Sequence, residues 1–152
     1  MAKSAKRVLL LNGPNLNLLG EREPEVYGTA TLADHVASAT QTATDLGLVL
    51  DSVQSNNSSE LVNAIHSART THDAIVINPG AFTHYAWSIH DALSAYAGPV
   101  LEVHISNPNA REAWRHTSVV APVATGSIMG LGMHGYELAV AAIARKLGLS
   151  AG

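Results

Sequence analysis

The sequence contains no cysteine, and that absence excludes disulfides, thiolate nucleophiles and cysteine-ligated zinc or iron–sulfur sites. Charged residues are scarce, at 14%, and no run of Lys or Arg follows the short group Lys3, Lys6 and Arg7. With a net charge of -3 the chain lacks the electrostatic footprint of a nucleic-acid binder. Long hydrophobic runs are also missing. Nothing approaches the roughly 18 apolar residues that span a bilayer, and Val8–Leu11 is far shorter than the apolar core of about 7–15 residues in a signal peptide. That run reads instead as a first strand. No membrane partner is expected, and a cytoplasmic, reducing setting suits a chain without cysteine. What is abundant is apolar: 47% of the 152 residues are hydrophobic. One domain spanning 1–152 is implied, able to bury about two thirds or more of its unfolded surface. The low charged fraction points further to contacts between subunits.

Short β-branched or leucine-rich runs alternate with segments of helical period. Arg7–Leu11, Leu48–Gln54, Ala74–Asn78, Val100–His104 and Ser118–Val120 are the expected strands. Several are apolar throughout, the pattern of strands covered on both faces and hence of a parallel sheet. Leu32, Val36, Ala39, Ala43 and Leu46 repeat at helical spacing between a Thr31 cap and a Gly47 stop. Asn57 and Glu60, three apart, resemble a capping box ahead of Leu61 and Ile65. Further helices are expected from His84 to Ala95 and from Tyr136 to Leu147, the last with Leu138, Ile143 and Leu147 on one stripe. Five strands alternating with helices give an α/β, flavodoxin-like three-layer sandwich around a five-stranded parallel sheet.

Ligands of such sheets bind outside the carboxyl ends of the strands, so the residues just after each strand matter most. They are Asn12-Gly13-Pro14-Asn15, then Asn78 through His84, then Glu102 through Asn107. Amides, imidazoles and a carboxylate converge on one edge. Strand alternation puts Glu102 and His104 on the same face, where the carboxylate can orient the ring and favour its protonated form, as a general acid requires. A lone histidine in a strand is more often structural, but here Arg111 and Arg115 follow, four apart and expected on one face of a short helix. Two guanidinium groups beside such a pair suit an anionic substrate or an anionic base; a salt-bridged surface helix is the plainer alternative. His84 and Asp91, seven apart, are expected on nearly the same helical face. The charged segment Gly20–Gly28, carrying Arg22 and Tyr27 between the first strand and first helix, reads as a lid or, alternatively, as a solvated loop.

Four strings, LLLNGPNLNLLGEREPEVYG, VINPGAFTHYAWSIHDAL, EVHISNPNAREAWRHTS and GLGMHGYELA, resemble the type II dehydroquinate dehydratases in order and spacing over nearly the whole chain. The resemblance implies a cofactor-free, metal-free hydro-lyase acting on 3-dehydroquinate by anti elimination through an enolate. Tyr27 would take the C2 proton, with Arg22 closing over the substrate on the same lid. Asn15 would hold the water that stabilises the enolate oxygen, and His104, oriented by Glu102, would protonate the departing C1 hydroxyl. Asn78, Ile105 and Ser106 would hold the C1 end of the substrate, His84 and Arg115 its ring hydroxyls. Arg111 would sit near the tyrosine, and Asp91 would act across a subunit boundary in a homo-oligomer, a dodecamer built from trimers. A free phenol titrates near pH 10, so a tyrosine base needs cations nearby, and Arg22 and Arg111 are the available ones.

Two departures from the family pattern stand out: His90 precedes Asp91 where an arginine is usual, and Asn109 replaces a frequent histidine. Gly130, Gly132 and Gly135 match a dinucleotide-binding fingerprint, but that motif belongs to the first strand–helix turn. Here the glycines are read as turn and packing residues. No two of the eight histidines lie two to four residues apart, so no metal site is expected. Competing readings are a flavodoxin-like binding module without chemistry and a cofactor-free lyase acting on a related hydroxy acid.

Overall fold

The computed structural model describes residues 3–149; residues 1–2 and 150–152 of the expected single domain lie outside the described residues. Five strands, β1 (Lys6–Asn12), β2 (Leu48–Gln54), β3 (Ala74–Asn78), β4 (Val100–His104) and β5 (Gly126–Met129), form one sheet in the order β2-β1-β3-β4-β5. Every pairing is parallel. The helices are α1 (Pro24–Tyr27), a single turn, then α2 (Leu32–Asp45), α3 (Ser58–Thr71), α4 (Trp87–Ser94) and α5 (Met133–Lys146). This is the flavodoxin-like order, with its switch point between β1 and β3.

Alternation along the central strands builds two cores. Val8, Leu10 and Val76 face α2 and α5, packing on Ala39, Ala43, Ala139, Val140 and Ile143. Leu9, Leu11, Ile75 and Ile77 face the other way, onto Leu61 and Ile65 of α3 and Ile89 and Leu93 of α4. Ile65, Ile77 and Ile89 have no exposed surface, and burial of such a side chain is worth about 1.5–3 kcal/mol. The glycine reading is borne out. Gly130 and Gly132 adopt positive φ at the turn into α5, and the Gly135 backbone lies so close to β4 that an added Cβ would stand 3.3 Å from Val103.

Several expectations need correction. The fifth strand is Gly126–Met129, not Ser118–Val120. Ser118 turns its hydroxyl to accept the backbone N–H groups of Val120 and Ala121, at 3.1 and 2.9 Å, and this local bonding holds the segment in a turn. Gly126 has low strand propensity, but Gly126–Met129 pair along β4 from Leu101 to His104. The capping box belongs to α2, where Thr31 and Asp34 exchange hydrogen bonds. At α3 Asn57 does cap, accepting from Ser59 N–H, but Glu60 turns away to Ser55 Oγ at 2.5 Å. α5 begins earlier than Tyr136, and Leu138 leaves its expected stripe to stand 48% exposed while Tyr136 and Val140 fill the core.

Candidate active site

The loops after β1 and β3 are pressed together at the switch point. Gly13 N–H donates to the Asn78 carbonyl at 2.8 Å, and a Cβ at Gly13 would collide with the Pro79 carbonyl. Glycine there lets the two chains meet. Above them opens a cavity of about 260 Å³. Its floor includes Asn15 and Asn78, its β4 side His104, Ile105 and Ser106, and its rim Arg22 and Tyr27 from the Gly20–Gly28 segment. His84, Arg111 and Arg115 complete the set.

Ten of the twelve residues singled out from the sequence therefore line one cavity. Glu102 is the eleventh, one layer below. Asp91 is exposed on α4 and does not line the cavity. It shares no helical face with His84, because His84 ends a separate 3-10 turn, Gly80–His84, before α4 begins at Trp87. Arg111 and Arg115 likewise share no helix: Arg111 caps the turn Pro108–Ala110, and Arg115 sits in the turn Ala113–His116. The two 3-10 turns nevertheless bring both guanidinium groups to the cavity.

His104 Nε2 lies 2.7 Å from Glu102 Oε2. Since a carboxylate only accepts, Nε2 carries the hydrogen and Nδ1 is the ring nitrogen left for exchange with a ligand. Glu102 has no exposed surface, and burial pushes its carboxyl up. Hydrogen bonds from His104, Thr83 and Ser118 outweigh this and hold it below the usual carboxylate range. Thr83 and Ser118 were not singled out from the sequence. Both lie in loops distant in the chain, and only the fold turns them onto Glu102.

On the opposite wall Arg111 Nη1 donates to Tyr27 Oη at 2.8 Å and to Ser106 Oγ at 3.1 Å. The guanidinium carbons of Arg22 and Arg111 each stand 5.2 Å from the centre of the Tyr27 ring. Two cations thus flank one phenol. His84 Nδ1 donates to the Thr117 carbonyl at 2.7 Å, which leaves Nε2 to accept from a hydroxyl. Trp114, also missed, stacks on Arg115 at 4.0 Å and edges onto His84 at 5.2 Å, ordering both at the rim. No group of three or more potential metal-binding side chains occurs among the described residues, and no helix among them is long and apolar enough to cross a membrane.

This constellation can remove a proton from one side of a small ligand and deliver one from the other. The family model "Dehydroquinase class II" matches residues 6–144. A 3-dehydroquinate dehydratase of Bacillus licheniformis is 53% identical over 88% of this chain and 92% of its own length. One from a Jannaschia species is 51% identical over 93% and 95%. Among solved structures, the type II dehydroquinase of Propionibacterium acnes superposes with a TM-score of 0.90 at 44% identity, covering 95% of this chain and 99% of that one. The chain belongs to the class II dehydroquinase family.

Proposed function

We propose that this protein is a 3-dehydroquinate dehydratase, removing water from 3-dehydroquinate to give 3-dehydroshikimate, a step of the shikimate pathway. Tyr27, as phenolate, takes the proton from C2, and the electron pair moves into an enolate at the C3 oxygen. Asn15 holds the water that stabilises that oxygen. The enolate then collapses to a C1–C2 double bond, the C1–oxygen bond breaks, and His104 gives its proton to the departing hydroxyl as water. Glu102 compensates the charge of the protonated ring. Arg22 closes over the substrate; Asn78, Ile105 and Ser106 hold the C1 end; His84 and Arg115 hold ring hydroxyls. The steps are two proton transfers and the loss of a hydroxyl as water, with no net change of oxidation state, so none of them is routed through a metal or a redox cofactor.

One observation carries this reading: a phenol hydrogen-bonded by Arg111 and an imidazole held by a buried carboxylate line the same small cavity. Its test is an ultraviolet assay for the conjugated product with 3-dehydroquinate and no added metal or nucleotide. Absence of turnover rejects it. Tyr27→Phe should lower kcat by about 10²–10⁴-fold, the range for a general base, while substrate binding is largely retained; near-normal turnover rejects Tyr27 as the base.

The same reading extends to assembly and location. Tyr85, Trp87 and Trp114 are 61%, 62% and 55% exposed, large aromatic side chains at the surface that would gain by burial against another subunit. We place Asp91 at such a boundary in a dodecamer built from trimers, in the cytoplasm. Light scattering should then give a mass twelve times the 15.9 kDa chain; a monomer would exclude that role for Asp91.

A further inference from the structure

Beneath the cavity lies a buried polar group that the proposed steps do not use. Tyr136 of α5 has no exposed surface, although a phenylalanine would satisfy the surrounding core of Val103, Ala139 and Val140. Its hydroxyl donates to Asn12 Oδ1 at 2.6 Å and accepts from Asn78 Nδ2 at 2.9 Å. Burial pushes the phenol far above its ordinary titration range, so it stays neutral and can do both at once.

The direction of this chain is fixed at one end. Gly80 N–H, a group that can only donate, reaches Asn78 Oδ1 at 3.1 Å. That sets the Asn78 carboxamide with its nitrogen toward Tyr136. The phenol oxygen must then accept, so its own hydrogen goes to Asn12 Oδ1, and Asn12 Nδ2 is left without a protein partner. A reversed Asn12 would satisfy that nitrogen only by depriving the phenol hydrogen of its acceptor. Asn78 Nδ2 has two hydrogens. One is held by Tyr136, and the other remains for the cavity that Asn78 lines.

We propose that Tyr136 is a positioning residue: by accepting one Asn78 amide hydrogen it fixes the carboxamide plane so that the second hydrogen serves the bound substrate. The relay spans three elements that are adjacent only in the fold, with Asn12 ending β1, Asn78 ending β3 and Tyr136 in the first turns of α5. It therefore ties the packing of α5 to the geometry of the cavity floor. The substrate class rests on the dehydratase reading, since the hydrogen offered to the cavity suits an anionic or hydroxyl oxygen of 3-dehydroquinate.

The test is Tyr136→Phe, which keeps the ring and removes only the hydroxyl, measured alone and together with Asn78→Ala. KM for 3-dehydroquinate should rise about tenfold, the scale of one hydrogen bond's net contribution, with kcat and its pH profile nearly unchanged. In the Asn78→Ala background the same substitution should raise KM no further. An unchanged KM, an equal rise in both backgrounds, or a shifted pH profile would overturn the inference. A second measurement does not depend on turnover or on a variant folding: in wild-type protein the two Asn78 side-chain amide hydrogens should exchange with solvent at clearly different rates. Equal, fast exchange would also overturn the relay. A wild-type protein that leaves 3-dehydroquinate untouched but shows one protected hydrogen would reject the dehydratase reading and keep the relay.

Discussion

Two carboxylate–imidazole pairs of nearly equal length sit at different places on this sheet. His72 Nε2 lies 2.8 Å from Asp51 Oδ2 by the amino end of β1, and His104 Nε2 lies 2.7 Å from Glu102 Oε2 at the carboxyl end of β4. The Asp51 side chain is 42% exposed and shares its oxygen with Arg7, whereas Glu102 is wholly enclosed. The hydrogen bond from His72 is the largest influence on Asp51 and, with the contacts of Arg7, holds it below the usual range against the opposition of burial. For Glu102 burial is the largest single influence, and the same direction is reached through His104 first and then the hydrogen bonds of Thr83 and Ser118. Length alone does not tell the pairs apart. Enclosure does: water screens the first, while the second is a fixed charge that decides where the ring of His104 stands and which nitrogen faces the cavity.

The sharpest way to break the comparison is to remove each imidazole. His104→Ala should lower kcat by about 10²–10⁴-fold, as expected for loss of a general acid, while C2 hydrogen exchange with solvent survives. His72→Ala should leave turnover near the wild-type value. Equal effects in a steady-state assay would show that enclosure is irrelevant to the chemistry.

Stability should divide the pairs in the same sense. Glu102→Ala leaves Thr83, Ser118 and His104 without their shared acceptor, and urea unfolding should show a loss of about 3–5 kcal/mol. Asp51→Ala removes a screened surface contact worth about 0.2–1 kcal/mol, and high salt should reduce that difference further.

The smallest expected effect is the pH dependence. A carboxyl whose folded pKa lies below its unfolded value adds stability that is complete above the unfolded value and is lost as pH falls through the folded one. Glu102 and Asp51 are both of this kind, so wild-type protein should lose stability on acidification below the ordinary carboxylate range. Glu102→Gln should flatten that limb more than Asp51→Asn. A steeper limb in Glu102→Gln would mean that the buried carboxyl is protonated in the folded state.

The strands β1, β3 and β4 were legible because buried parallel strands are largely apolar, as in Ala74–Asn78; β2, a partly exposed edge strand, showed itself by the short apolar run that opens it. β5 was not, since Gly126–Met129 carries little propensity and exists by pairing with β4. Glu102 and His104 were legible as a pair because a period of two is built into a strand. The partners of Glu102 were not, because Thr83 and Ser118 stand 19 and 16 residues away and meet it only through loops. Arg111 and Arg115 were found for their charge but assigned to the wrong local structure, since four-residue spacing suits a helix and two short 3-10 turns leave no comparable signature. Tyr136 stood in the sequence only as the start of the last expected helix; nothing in the chain marks its contact with residues 58 and 124 positions away.

By itself, then, the order of residues determined the alternation of strands and helices, the edge on which polar side chains gather, and most of the groups that gather there. Those properties follow from periods of two and 3.6 residues and from turn chemistry, all of which are local. Tertiary structure alone decided which hydroxyls enclose Glu102, which turns carry Arg111 and Arg115 to the cavity, and how Tyr136 meets Asn78. Those outcomes depend on distances between segments remote in the chain, and only the packing of α2 to α5 on the sheet sets them.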